Sequence, residues 1–294
     1  MSRDVAVRNA LAYAIPELFW GFGWGVAIDN PMPAAFADGF GRSEGLVGSF
    51  GLCAAVGLGI PMLFTAYLLA PWSRKRGLLF WGHLVPSAVL GVLALALPHA
   101  AAFGADAVEG VYLASFMVFF LSIGVLDPAW QTLLGDLFPD HQRARVLGVC
   151  FSLNRVGGFV GGLVAERMLA SASLPAETQW AWLFGIASAS MIAGSIGFLF
   201  IVEAPREPQA RPPIREYLAS VWGLVRALRT VRRFITVDVL AITGMVVVAF
   251  NGDVAIRDHG IDASWAGVWT RASAVTQVVI ALMIAAVGHR ISPR

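Results

Sequence analysis

Four ionisable side chains stand inside stretches that are otherwise almost wholly apolar: Asp29, Asp127, Arg155 and Arg271. A charge in hydrocarbon is costly, and one that is kept there commonly pairs with another or serves a solute or ion path. Asp127 and Arg155 flank the charged hinge Asp136 to Arg145, each about nine residues from it. If the flanking runs are antiparallel helices, a rise of ~1.5 Å per residue sets both charges roughly 13 Å deep, at matching depth. Two chemistries suit that pair, a structural ion pair and a couple that binds a solute or a proton. Asp29 stands just before Pro31 and Pro33, where it either hydrates at a funnel mouth or carries protons. Arg271 either contacts an anionic substrate or extends to lipid headgroups. Trp24 and Trp130 are candidate cavity aromatics, although aromatics in apolar helices mostly pack. Glu17 reads as one turn inside the membrane and paired with loop cations, and His83 as a satisfied interior histidine.

Such groups need long apolar elements to hold them. The 294 residues are 57% hydrophobic and 14% charged, with a mean hydropathy of +0.71, too apolar for an ordinary soluble domain. Residues 45–73, 77–105 and 178–202 contain no Asp, Glu, Lys or Arg, and each run is long enough to cross ~30 Å of hydrocarbon as a helix. The fold class is therefore all-α, a polytopic transmembrane bundle. Eight spans are expected, at 13–37, 45–70, 78–98, 111–135, 146–168, 180–202, 234–252 and 264–287. Pro31 and Pro33 should kink or loosen the outer half of the first. Gly157, Gly158, Gly161 and Gly162 read as a close-packing face. Cys53 and Cys150 lie within apolar runs and read as buried thiols.

Cations set the orientation. With a cytoplasmic N-terminus, sixteen of the 21 Lys and Arg residues fall on the inside, among them the loop Arg74-Lys75-Arg76 and seven arginines between 206 and 233. Only Arg42, Arg167 and Arg257 fall outside, so the chain is placed N-inside in a bacterial inner membrane. Between 204 and 233 four prolines precede IREYLASVWGLVRALRTVRRF, an amphipathic pattern. It reads as a helix on the cytoplasmic leaflet, with a regulatory or partner-binding helix as the alternative.

An internal repeat appears at an offset of 219 residues. Gly41, Gly48, Ala55, Val56, Leu63, Ala66 and Ser73 match Gly260, Gly267, Ala274, Val275, Leu282, Ala285 and Ser292. Spans one and two thus pair with seven and eight, and parallel six-helix repeats are one plan of secondary transporters. On these features the chain resembles the major facilitator superfamily. That family's loop G-x-x-x-D-R-x-G-R-R corresponds to Ala66 through Lys75, where the two final cations are kept and the acid and both glycines are lost. Its helix-five pattern G-x-x-x-G-P-x-x-G-G is similar to Leu153 through Gly162, with Gly158 in place of the proline. The hinge LFPDHQRARVLG resembles the loop between helices four and five.

The resemblance implies a six-helix bundle over 1–203, a linker over 204–233 and the first two helices of a second bundle over 234–294. The family plan has four more helices, so the chain reads as truncated after the eighth span, with a complete eight-helix protein the alternative. It further implies a monomeric secondary transporter of a small solute, working by alternating access, with proton coupling through Asp29 or Asp127. Arg74, Lys75 and Arg76 would form the cytoplasmic gate loop. A non-transporting scaffold or assembly factor is the competing reading, favoured by the lost loop acid and the missing helices. No phosphate-binding loop, metal-ligand cluster or nucleophile–base set appears, so no cofactor, metal, nucleic acid or enzymatic activity is expected. The topology has a direct test. Cysteines introduced beside Arg74 and beside Arg143 should react with impermeant reagents only from the cytoplasmic face, and labelling of either from outside refutes the orientation.

Overall fold

The computed structural model describes residues 3–291 apart from 43, 172, 205, 206, 208 and 209, with the side chains at 3, 44, 66, 238, 241–249 and 287–291 outside that description. Among the described residues every regular element is helical. In chain order they are α1 (Arg3–Ala27), α2 (Met32–Gly39), α3 (Glu44–Leu69), α4 (Arg76–Ala102), α5 (Ala105–Leu137), α6 (Asp140–Leu169) and α7 (Ala176–Ser195). A 3₁₀ turn (Ile196–Phe200), α8 (Ile214–Ala227), α9 (Arg229–Arg257) and α10 (Trp265–Ile291) follow. Among the described residues seven segments are long and apolar enough to cross a membrane: Asp4–Gly39, Gly45–Thr65, Arg76–Ala102, Ala105–Leu137, Asp140–Leu169, Ala176–Phe200 and Trp265–Ala286. The expected span 234–252 lies inside α9, and its stretch 241–249 falls outside the described side chains. So does Ser292, the last residue of the repeat.

The first span breaks where its prolines stand. Ile28 and Asp29 both donate to the Trp24 carbonyl, at 2.8 and 3.0 Å, and Asn30 turns its amide to Asp29 Oδ1 at 3.1 Å. Pro31 has no N–H to offer the Ala27 carbonyl, so the helix cannot continue through it. The chain restarts as α2, whose Phe36 is fully buried and stacks on Tyr112 at 4.0 Å between centroids.

The charged hinge is much shorter than its composition suggests. Only Phe138 and Pro139 separate α5 from α6. Arg143 donates to the Phe138 and Gly135 carbonyls at 2.9 and 2.7 Å, covering the end of α5, and pairs with Asp140 at 2.5 Å. Asp127 therefore lies about 15 Å from its helix end and Arg155 about 22 Å from its own, so the expected matching depth is not found. Glu17 is misplaced by the same kind of error. Because α1 begins at Arg3 and not near 13, Glu17 stands about 21 Å into the helix. The amphipathic stretch is divided, since α8 stops at Ala227 and α9 begins at Arg229.

Helix α6 runs between α1 and α10, while α3 packs on α5, α4 on α5 and α7, and α9 on α2 and α3. The α1–α6 seam is made of glycines because backbone meets backbone there. A Cβ on Gly157 would stand 2.0 Å from the Leu18 carbonyl oxygen, and one on Gly161 2.3 Å from that of Phe22. On the other flank of α6, Gly162 faces Gly267 of α10, each too close to the other's carbonyl for a side chain. Two apolar cores lie along the bundle. One gathers Phe36, Phe50, Tyr112, Phe116, Trp180 and Phe184; the other holds Tyr13, Trp130, Leu133, Phe138 and Phe198 near the arginine-rich end.

The repeat has a backbone counterpart. Gly41 and Gly260, 219 residues apart, end α2 and α9 with φ of +61° and +62°, a region that favours glycine. After Gly260, hydrogen bonds from Ser264 hold the Asp262 carboxyl below the usual carboxylate range and start α10. Helix α8 has no buried residue, and its Ile214, Leu218, Trp222 and Leu224 are exposed.

The seam separates neighbouring glycines by consequence. Gly161→Ala must push the helices apart and should lower stability by about 1–3 kcal/mol. Gly158→Ala meets its nearest backbone atom, the Gly21 oxygen, at an ordinary 3.5 Å and should be nearly silent. Thermal unfolding of the two variants in detergent compares them, and equal losses would refute the seam.

Candidate functional site

Between the two apolar cores lies a cavity of about 230 Å³, walled by α1, α4, α5 and α6. Its polar lining is Glu17 from α1, His83 from α4, Asp127 from α5, and Asn154 with Arg155 from α6. Trp20, Trp24, Trp130 and Phe151 supply the aromatic wall. The seam sets this geometry. Asn154 presses its backbone onto Gly21 of α1, and one turn away its Nδ2 reaches Glu17 Oε2 at 3.1 Å. On the facing wall Gln131 Nε2 donates to Asp127 Oδ2 at 2.8 Å, a bond within one helical turn.

Asp127 and Arg155 line this cavity together but form no ion pair. Arg155 is half-buried and makes no hydrogen bond or ion pair with any described residue. Glu17 is thus a cavity residue and not a partner of loop cations. The four-residue spacing of Glu17, Gly21 and Gly25, which keeps all three on one face of α1, is the sequence signal that places Glu17 beside the α6 glycines. His83 donates Nδ1–H to the Leu79 carbonyl at 2.6 Å and meets Trp20 edge-on at 4.8 Å, leaving Nε2 as the ring's lone-pair atom. Trp130 stacks on Tyr13 at 4.9 Å, and Trp24 packs near Phe119 at 6.0 Å. The indole N–H groups of Trp20 and Trp130 are buried without partners.

Asp29 is not in that cavity. It lines a second one, of about 440 Å³, with Asn30 and Pro31 at the break of α1, Asn251 from α9, and Trp269, Ser273 and Gln277 from α10. The buried Thr270 side chain stands beside Asp29. The Arg271 guanidinium is paired with Glu166 of α6. That pair and the Gly162–Gly267 contact together fix α10 against α6.

At the arginine-rich end the loop cations are held firmly. Lys75 is 4% exposed, and its Nζ bonds Asp136 Oδ2 at 2.8 Å. The Glu203 carboxylate accepts the amides of Lys75 and Arg76 at 2.8–2.9 Å, capping α4 at the end where its dipole favours an anion. Arg76 donates to the Ile201 carbonyl at 2.9 Å. Two acids thus hold this loop, Asp136 from the end of α5 and Glu203 from the segment after the 3₁₀ turn. Opposite, Arg42 pairs with Asp106 at 2.8 Å and with Glu109, while Arg257 pairs with Asp253 at 2.8 Å and donates to the Arg42 carbonyl.

A family model described as the Major Facilitator Superfamily matches residues 9–294. Among solved structures, the chain is similar to a bacterial homologue of the human lysosomal transporter Spinster, in an inward-facing and unoccupied conformation. The TM-score is 0.66 at 18% identity, over 96% of this chain and 61% of that one, so the likeness is one of fold. The chain thus spans about three-fifths of that structure's length. No curated protein sequence matches significantly.

The buried Lys75–Asp136 pair generates a test. Lys75→Met takes the ammonium away from the buried Asp136 carboxylate and should cost about 3–5 kcal/mol. Lys75→Met combined with Asp136→Leu removes both charges and should regain part of the loss. Simple addition of the two single losses, read by thermal unfolding, would refute the pairing.

Proposed function

The chain belongs to the Major Facilitator Superfamily, and we propose that it moves a small solute across the membrane by alternating access. The cavity carries this reading. Glu17, Asp127 and Arg155 stand far from the helix ends around one space, and none of them is ion-paired there. Charges kept in hydrocarbon without mutual neutralisation are expensive to a purely structural protein. A carrier has a use for them, since an incoming ligand completes the charge.

Residues 1–203 make the first bundle, 204–233 the linker and 234–294 the opening of the second. The second bundle rocks against the first, with solute in the cavity of α1, α4, α5 and α6. Proton coupling rests on Asp29 and Asp127, to which the geometry adds Glu17. The N-terminus faces the cytoplasm of a bacterial inner membrane, a reading supported by the cations of the loops and of α8. The scaffold alternative leaned on the lost loop acid. Asp136 holds the Lys75 ammonium and Glu203 its backbone amide, contacts that support the carrier reading against it.

Alternating access is testable without knowing the solute. Cys53 and Cys150 are replaced by Ser, and Ile123, which lines the cavity, by Cys. An impermeant thiol reagent should label this single cysteine in right-side-out and in inside-out vesicles, because the cavity opens to each face in turn. Labelling from one face alone, whatever the conditions, overturns the carrier reading.

A further inference from the structure

The charge pattern of the cavity narrows the solute. Asn154 occupies Glu17 Oε2 and Gln131 occupies Asp127 Oδ2, which leaves Oε1 and Oδ1 of the two carboxylates without donors. Arg155 presents five N–H donors in a planar fork and uses none of them within the described protein. That fork suits two oxygens of a carboxylate or phosphate, bound side by side. The carboxylate oxygens left without donors suit an ammonium, and Trp20 and Trp24 line the space beside them.

Neither half of this lining is satisfied by a singly charged solute. A simple anion meets Arg155 but faces two carboxylates. A simple cation meets the carboxylates but faces a guanidinium with no counter-ion. At about 230 Å³ the space is below the ~300–1,000 Å³ typical of drug-sized ligands, so the solute is compact. Resting on the carrier reading above, we infer that the cavity takes a small zwitterion, its anionic oxygens on Arg155 and its ammonium between Glu17 and Asp127.

The test uses solutes that differ only in charge and reach. Glycine, β-alanine, γ-aminobutyrate and 6-aminohexanoate place an ammonium and a carboxylate at growing separations. O-Phosphoethanolamine puts phosphate in the carboxylate's role, and butyrate and butylamine carry one charge each. The melting temperature of the purified chain in detergent is followed against the concentration of each. One zwitterion should raise it saturably, with half-saturation at least tenfold below those of butyrate and butylamine, and the preferred head then tells carboxylate from phosphate. Arg155→Lys keeps the charge but loses the fork, and should weaken the preferred zwitterion about tenfold. Arg155→Gln should erase the advantage of the zwitterion over butylamine.

Butylamine or butyrate binding as well as every zwitterion overturns the inference, and so does the lack of a saturable shift with any of them. If the zwitterion preference fails while the Ile123→Cys variant still labels from both faces, the charge assignment falls and the carrier reading stands. If labelling is confined to one face, the carrier reading falls whatever binds.

Discussion

Everything in the site depends on how closely α1 and α6 approach. With carbonyl oxygens about 2 Å from where a Cβ would be on Gly157 and Gly161, the two backbones lie against each other over several turns. Such contact gains van der Waals packing that lipid tails cannot match, which is how helices associate where the hydrophobic effect no longer drives them together. It also fixes register. Asn154 rests on Gly21, so its amide meets Glu17 one turn along, and Arg155 is turned into the space that α5 encloses from the other side. The second flank of α6 repeats the arrangement against α10 through Gly162 and Gly267, reinforced by Glu166 and Arg271.

Polar contacts are distributed unevenly along the bundle. Ion pairs gather toward the ends: Lys75–Asp136 and the Glu203 cap at one, Arg42 with Asp106 and Glu109 and Arg257 with Asp253 at the other. The middle holds charges without ion pairs. Structural electrostatics are thus spent where helices meet water, and the interior retains unsatisfied capacity. That division suits a protein whose ends must alternately hold and release while its centre handles a passing charge.

The sequence reveals the spans and the break in the first of them because length, apolarity and proline act locally. It reveals the glycine run of α6 for the same reason, and the repeat down to the shared backbone turn at Gly41 and Gly260. What it hides depends on where helices begin and on who their neighbours are. The hinge charges suggested a loop from Asp136 to Arg145, yet one proline, Pro139, suffices to turn the chain and most of those charges lie within helices. That displaced Arg155 relative to Asp127 and removed the expected pair. Glu17 was assigned to loop cations because the polar first turns of α1 do not look helical, although they are. Glu203 lies far from Lys75 in sequence, so no local pattern could announce that it caps α4.

Lys75 is the only lysine in the chain. Its ammonium is shut in against Asp136, where an acylating reagent cannot approach while the contact holds. Amine chemistry therefore meets one interior target, and its rate of modification counts how often that end of the bundle lets go. The molecule carries its own clock for that opening, without any label added.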